Sequence, residues 1–195
     1  MSAAAVEHPF GEPTLLEVAD KLARELTGYR VEILGGEITV SPSADSGHAR
    51  SLTNLTFALA VLHGETSQVL QAVGIMLPDG PSDFAVPDLC IVDADIDDHH
   101  ITSNCYDPAA FRLVLEITSS NLSDDLMRKP IAYARAGVPV YVVADRKNRR
   151  VLVMTDPRDG QYRLRAIHRP GESFTLPESV GEPVKLDVDT ILGLG

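Results

Sequence analysis

Three polar residues carry the chemistry that this sequence offers: Asp88 and Glu116, set in apolar runs, and Lys129. Asp88 follows Pro87 and opens the apolar run Leu89, Cys90, Ile91, Val92, whereas Glu116 closes a run containing Phe111, Leu113, Val114 and Leu115. Each carboxylate falls where a buried strand meets solvent, a position at which α/β folds mount metals and acid-base groups. Two carboxylates on rigid supports suit Mg²⁺, which takes oxygen ligands and keeps several waters. Metal-assisted phosphodiester hydrolysis adds a cation to orient the attacking water or steady the developing charge, and Lys129 can supply it. Plainer readings stand beside this one. Asp88 could cap a strand after Pro87, Glu116 could pair with an arginine, and Lys129 could pair with Asp125 one helical turn back. Glu116 is the hardest to explain so plainly, because a carboxylate at the end of so apolar a strand needs a partner or a raised pKa.

The elements that must position these groups are readable from periodicity. Thr14 to Leu26 has a helical stripe of Leu15, Val18, Ala19, Leu22 and Leu26, with Thr14 and Glu17 spaced as a capping box. Tyr29 to Leu34 alternates Val31 and Ile33 against Arg30 and Glu32, and Gly35-Gly36 turns the chain into a second strand from Glu37 to Val40. A second helix is predicted over His48 to Leu62, followed by extended runs from Val69 to Met76 and from Phe84 to Val92 across Pro87. Asp93 to Asp107 is predicted to be a mobile acidic loop. Asp93, Asp95 and Asp97 match the first ligands of a calcium loop, but Asp98 stands where the turn glycine belongs and Asn104 where the bidentate glutamate does, so His99 and His100 receive no ligand role either. Phe111 to Ile117, a helix from Leu126 to Ala136 and Val138 to Ala144 read as a crossover joining two parallel buried strands. Arg150 to Thr155 and Tyr162 to Ile167 extend the sheet.

Composition sets the frame. The chain has 195 residues, 44% hydrophobic and 23% charged, which suits one soluble domain over 14–195 behind a loose tail over 1–13. No apolar run approaches a membrane span, and two unpaired cysteines imply a reducing, cytoplasmic setting. The net charge of −11 argues against a polyanionic partner, but its distribution is uneven. Residues 1–110 carry 4 Lys/Arg against 17 Asp/Glu, whereas 128–169 carry 11 against 3. A nucleic acid could thus be met by one face, although Arg146, Lys147, Arg149 and Arg150 read first as a solvated turn.

The run LVLEITSSNLSDDLMRKPIAYARAGVPVYVVAD, with the upstream PDLCIV and GGEITVSP, resembles the Uma-type putative restriction endonuclease family of the PD-(D/E)XK nuclease superfamily. The resemblance implies an α/β (α+β) fold, a restriction endonuclease-like mixed β-sheet flanked by helices, with Mg²⁺ or Mn²⁺ held at one edge. It aligns Asp88 and Glu116 with proposed metal ligands, Lys129 with the family's helix lysine, Glu37 with a further acidic site member and His48 with an accessory histidine. Thr118 stands where the superfamily usually has its lysine. Pro130 follows Lys129, and inside a helix it would cost about 3 kcal/mol unless the helix starts there. The implied activity is hydrolysis of DNA by a metal-activated water, and because two cuts in a duplex call for two sites a homodimer is expected. The alternative is a nuclease-like fold kept as a nucleic-acid-binding or interaction module with little catalysis.

Overall fold

Thr14 starts the first helix, as its spacing from Glu17 predicts. In the computed structural model, which describes residues 13–118 and 123–194, the Thr14 side chain accepts from the Glu17 N–H, and the Glu17 carboxylate accepts in return from the Thr14 N–H at 2.7 Å. Helix α1 (Leu15–Glu25) buries Ala19. Of the tail predicted over residues 1–13, only Pro13 lies within the described residues. Strands β1 (Arg30–Leu34) and β2 (Glu37–Ser41) form the predicted hairpin. Its turn needs two positive φ angles, which Gly35 and Gly36 supply at +59° and +75°. The carboxylate of Asp83 accepts the N–H groups of both glycines, at 2.6 and 3.0 Å, which fixes the hairpin to the loop ahead of the catalytic candidates.

Helix α2 (Ser46–Ala58) is capped by Asp45 and continues in a 3₁₀ turn over Ala60–Leu62. Short strands follow: β3 (Ser67–Leu70), β4 (Gly74–Met76), β5 (Phe84–Ala85) and β6 (Leu89–Asp93). Here the structure departs from the sequence reading, because the two runs 69–76 and 84–92 each break and the chain passes from one sheet to another at both breaks. The first break carries Ala72 at φ +54°, and the second is Val86-Pro87-Asp88, where proline has no N–H to give a ladder. The acidic stretch after β6 is not a plain loop either. It forms a 3₁₀ turn at Ile96–His99 and the paired strands β7 (His100–Thr102) and β8 (Cys105–Tyr106).

Strand β9 (Phe111–Ile117), helix α3 (Lys129–Arg135) and strand β10 (Val140–Asp145) make the predicted parallel crossover, with Glu116 opposite Val143. Strands β11 (Arg150–Arg158) and β12 (Gln161–His168) then add an antiparallel pair. A small sheet of β13 (Ser173–Thr175) and β14 (Lys185–Asp187) precedes the closing helix α4 (Val188–Leu192).

Two six-stranded sheets of mixed direction result, flanked by helices, where the sequence reading had one. Their orders are β2-β1-β5-β4-β8-β7 and β12-β11-β10-β9-β6-β3. The second sheet is the core. Side chains alternate across a strand, so Leu113, Leu115 and Ile117 of β9 join Leu55 of α2 and Leu59 just past its end on one face, whereas Val114 joins Tyr133 of α3 and Tyr141 on the other. Glu116 belongs by the same alternation to the α3 face.

Candidate active site

Asp88 sits at the corner where the chain leaves the first sheet and enters the second. Its Oδ1 makes a close contact with the guanidinium of Arg30, at the start of β1. Its Oδ2 accepts from the Ile117 N–H at 2.7 Å and lies 2.9 Å from Nε2 of His48, in the first turn of α2. A carboxylate only accepts, so Nε2 of His48 donates, and Nδ1 has no hydrogen-bond partner among the described residues. Burial works against the charge of Asp88, but the His48 hydrogen bond and the Arg30 charge prevail and hold its carboxyl down at about 2.

Glu116, 2% exposed, lies one residue from the end of β9. Its Oε1 accepts from Nζ of Lys129 at 2.7 Å and from the Tyr133 hydroxyl at 3.1 Å, and its Oε2 is 3.6 Å from Nη1 of Arg30. Burial pushes its carboxyl up to about 8, against the pull of Lys129 and with added repulsion from Asp88 and Asp125. Lys129 is itself buried, and Oε1 of Glu32 at 3.0 Å and Oδ1 of Asp125 at 3.6 Å complete its surroundings. Burial disfavours its charge, yet Glu116, Glu32 and Asp125 outweigh that and raise its pKa above the ordinary lysine value.

The helix that presents Lys129 begins irregularly. Asp124–Arg128 form a π turn, in which the Lys129 N–H reaches back to the Asp124 carbonyl, and α3 starts at Lys129 with Pro130 in its first turn. The interior-proline cost is thereby avoided. The wider turn frees the Asp125 carbonyl from the helical ladder, and it accepts instead from the Tyr141 hydroxyl at 2.9 Å. Asp125 and Lys129 end on one side, facing β9, so the pairing that their one-turn spacing allows is a buried contact.

The structure thus brings Asp88, Glu116, Lys129 and His48 together and leaves Glu37 out. Glu37 is exposed on β2 and pairs with Arg128 at 3.1 Å, because its place on the strand turns its side chain outward. The acidic residue that β1 does contribute is Glu32, 2% exposed, which accepts from the Val86 N–H at 2.7 Å as well as from Lys129. It therefore also fixes the backbone just ahead of Pro87-Asp88. Sequence alternation set Arg30 and Glu32 on the face opposite Val31 and Ile33 and gave them no role in the site. In fact that side faces the second sheet, and two opposite charges at i and i+2 were the available signal.

These groups form the floor of a cavity of about 460 Å³. One wall is apolar, from Leu16, Ala19 and Ala23 of α1 together with Phe84 and Val86. As a test of whether a divalent cation fits, the donors are all hard oxygens. Four carboxylates (Glu32, Asp88, Glu116 and Asp125) face two fixed cations, Arg30 and Lys129, so one divalent charge would balance a fully ionised set. Among the described residues no three or more His, Cys, Asp or Glu side chains converge as a metal cage. Hydrated hard cations such as Mg²⁺ take oxygen donors of this kind, whereas closed structural zinc sites take four protein ligands, mostly thiolate and imidazole.

Comparison with known proteins agrees with this architecture. The sequence profile of the family described as "Uma2: Putative restriction endonuclease" matches residues 16–189. Among solved structures the fold is similar to that of a protein from Anabaena variabilis ATCC 29413, titled a putative nuclease belonging to DUF820, with a TM-score of 0.67 at 13% identity. That likeness covers 84% of this chain and 89% of the other. No curated protein is matched.

Proposed function

Because the chain belongs to the Uma2 family of putative restriction endonucleases, we propose that it is a Mg²⁺-dependent endonuclease that hydrolyses DNA phosphodiester bonds with a metal-activated water. The observation that carries this reading is the convergence of Asp88 and Glu116, from a sheet-crossing corner and a strand end, beside one buried lysine held by three carboxylates. Asp88 and Glu116 would hold the ion. When bound, it supplies Lewis acidity and a water more acidic than bulk. Lys129 keeps its proton near neutral pH, so its role is to steady charge and orient the water rather than to abstract a proton. His48 and the Ile117 N–H fix the orientation of the Asp88 carboxylate, and Tyr133 fixes that of Glu116. Arg30, with its side chain 30% exposed, reaches the cavity from β1 and would meet the phosphate only by giving up its contact with Asp88.

One feature favours the second reading, a nucleic-acid-binding module without hydrolysis. Arg30 already satisfies Asp88 and sits next to Glu116, so the pair is compensated without a metal. The two readings separate in one experiment. Plasmid, linear duplex and single-stranded DNA are incubated with Mg²⁺, with Mn²⁺ and with chelator, alongside metal titration calorimetry. The enzyme reading expects metal-dependent cleavage, and expects Asp88→Ala and Glu116→Ala each to abolish both cleavage and the heat of metal binding. Undiminished metal affinity in both variants overturns the site. Binding without cleavage in every metal favours the module.

A further inference from the structure

Parallel pairing of β9 and β10 brings the basic turn between β10 and β11 to the same end of the sheet as Glu116. Ile117 lies opposite Ala144, and Asp145 opposite Arg150. The link is covalently short and hydrogen-bonded, because Thr118, two residues beyond Glu116, donates its N–H to the Ala144 carbonyl at 3.1 Å and accepts the Arg146 N–H on its hydroxyl at 3.1 Å. His168 pairs with Val151, so Arg169, next in the chain, arrives at this end too.

The charges of this turn are not equivalent. Arg146 is matched by Asp45 at 3.0 Å and Arg150 by buried Asp145 at 2.8 Å. The exposed side chains of Lys147, Arg149 and Arg169 have no acidic partner among the described residues, but the Glu172 carboxylate accepts the Arg169 backbone N–H at 2.8 Å, so Lys147 and Arg149 carry the uncompensated positive charge here on a chain whose net charge is −11. A hollow lined by Ser43, Thr118, Arg146 and Lys147, with Asp45 as its one acidic residue, lies beside this surplus. Pro42, Ser43 and Ala44 line the catalytic cavity as well, so the two depressions share a wall. Elsewhere in the lining the half-buried Asp20 repels a polyanion, and Asp125 lies buried in the floor.

We propose that the β10–β11 turn, with Lys147 and Arg149 as its contacts and Arg169 beside them, is the track along which a nucleic-acid backbone approaches the cavity. This rests on the nuclease reading above and adds the direction from which the substrate enters. Because phosphate contacts dominate nucleic-acid affinity and release counterions, the contribution of each cation is readable from salt dependence.

The test is fluorescence anisotropy with labelled duplex and single-stranded DNA in chelator, across a salt series, so that cleavage plays no part. Lys147→Ala/Arg149→Ala is expected to weaken binding about tenfold or more at low salt and to reduce the duplex salt slope by about 1.8, at about 0.9 per lost phosphate contact. Arg158→Ala, at the opposite end of β11 where Arg158 pairs with Gln161, is expected to leave both unchanged. Matching thermal melts show that each variant is folded, and the Lys147→Ala single variant gives half the slope change. If the wild type binds DNA and the double variant binds it with the same slope, the track is wrong while the nuclease reading stands. If the wild type binds neither DNA in chelator nor DNA in Ca²⁺, both fail. Equal weakening by Arg158→Ala also overturns the track, because the effect would then be one of net charge alone.

Discussion

Glu116 and Asp88 lie in one site yet respond to burial in opposite ways, and the difference predicts how the metal-free protein behaves with pH. Asp88 has donors on both oxygens and is held down at about 2, below its ordinary 3.8. It contributes stability above that ordinary value, lost as pH falls from about 4 toward 2. Burial raises Glu116 to about 8 from 4.5, and Asp125 to about 6 from 3.8. Their folded forms bind more protons than the unfolded chain does, so their contribution is present below the ordinary carboxyl range and is lost as pH rises through 6 and 8. The expected outcome is that chelator-treated protein melts progressively lower from pH 5 to pH 8, with a slope of about 1.4 kcal/mol per pH unit for each proton involved. Glu116→Gln should flatten that slope, and a wild-type melt that rises over the same range would contradict the assignment. At this scale the sequence was legible where a side chain stood out against its neighbours, as Glu116 does in an apolar strand. It was not legible for Glu32, whose alternation with Val31 and Ile33 is that of any half-solvated strand. What separates Glu32 from Glu37 is which surface covers each one, and that is set by the distant residues Lys129 and Val86.

Among the elements, the β1–β2 hairpin and the corner at Pro87 have to be held in a fixed relation, since one brings Arg30 and Glu32 and the other brings Asp88. Asp83 makes that connection through the two glycine N–H groups, and its carboxylate is 1% exposed. Asp83→Ala removes both hydrogen bonds, and because Gly35 and Gly36 are exposed water can serve their N–H groups, so a loss of about 0.5–1.5 kcal/mol per bond is expected in urea denaturation. Asp83→Asn, which keeps one acceptor oxygen, should recover part of it. Equal stability of Asp83→Ala and wild type would show that the hairpin stands without this anchor. Local signals predicted the hairpin, the capping box and the β9–α3–β10 crossover well, because Gly-Gly turns, Thr-x-x-Glu spacing and continuous apolar runs are properties of a few adjacent residues. The breaks at Ala72 and Pro87 were missed for the opposite reason. No glycine or asparagine marks the left-handed φ at Ala72, and Val86-Pro87 is compatible with an extended chain, so only pairing with different sheets reveals that one run serves two layers.

For the molecule as a whole, the family and the mixed-sheet architecture were legible from motifs in order along the chain, whereas the division into two sheets was not, since it depends on long-range pairing. That division gives the site its character, because Asp88 belongs to neither sheet and is bonded to both, through Arg30 of β1 and the Ile117 N–H of β9. The Ile117 amide gives its hydrogen to a side chain rather than to a neighbouring strand, as does Val86 to Glu32. Their protection from deuterium therefore measures the closure of the site, while amides in the middle of β9 measure the sheet. Asp88→Ala should speed exchange at Ile117 while leaving Val114 slow, and added Mg²⁺ should slow Val86 and Ile117 in the wild type. Uniform change across β9 would instead mean that the sheet loosens as a whole. The two amides form a built-in pair of reporters, one on each side of the seam between the sheets, by which occupancy of the site can be followed without any substrate.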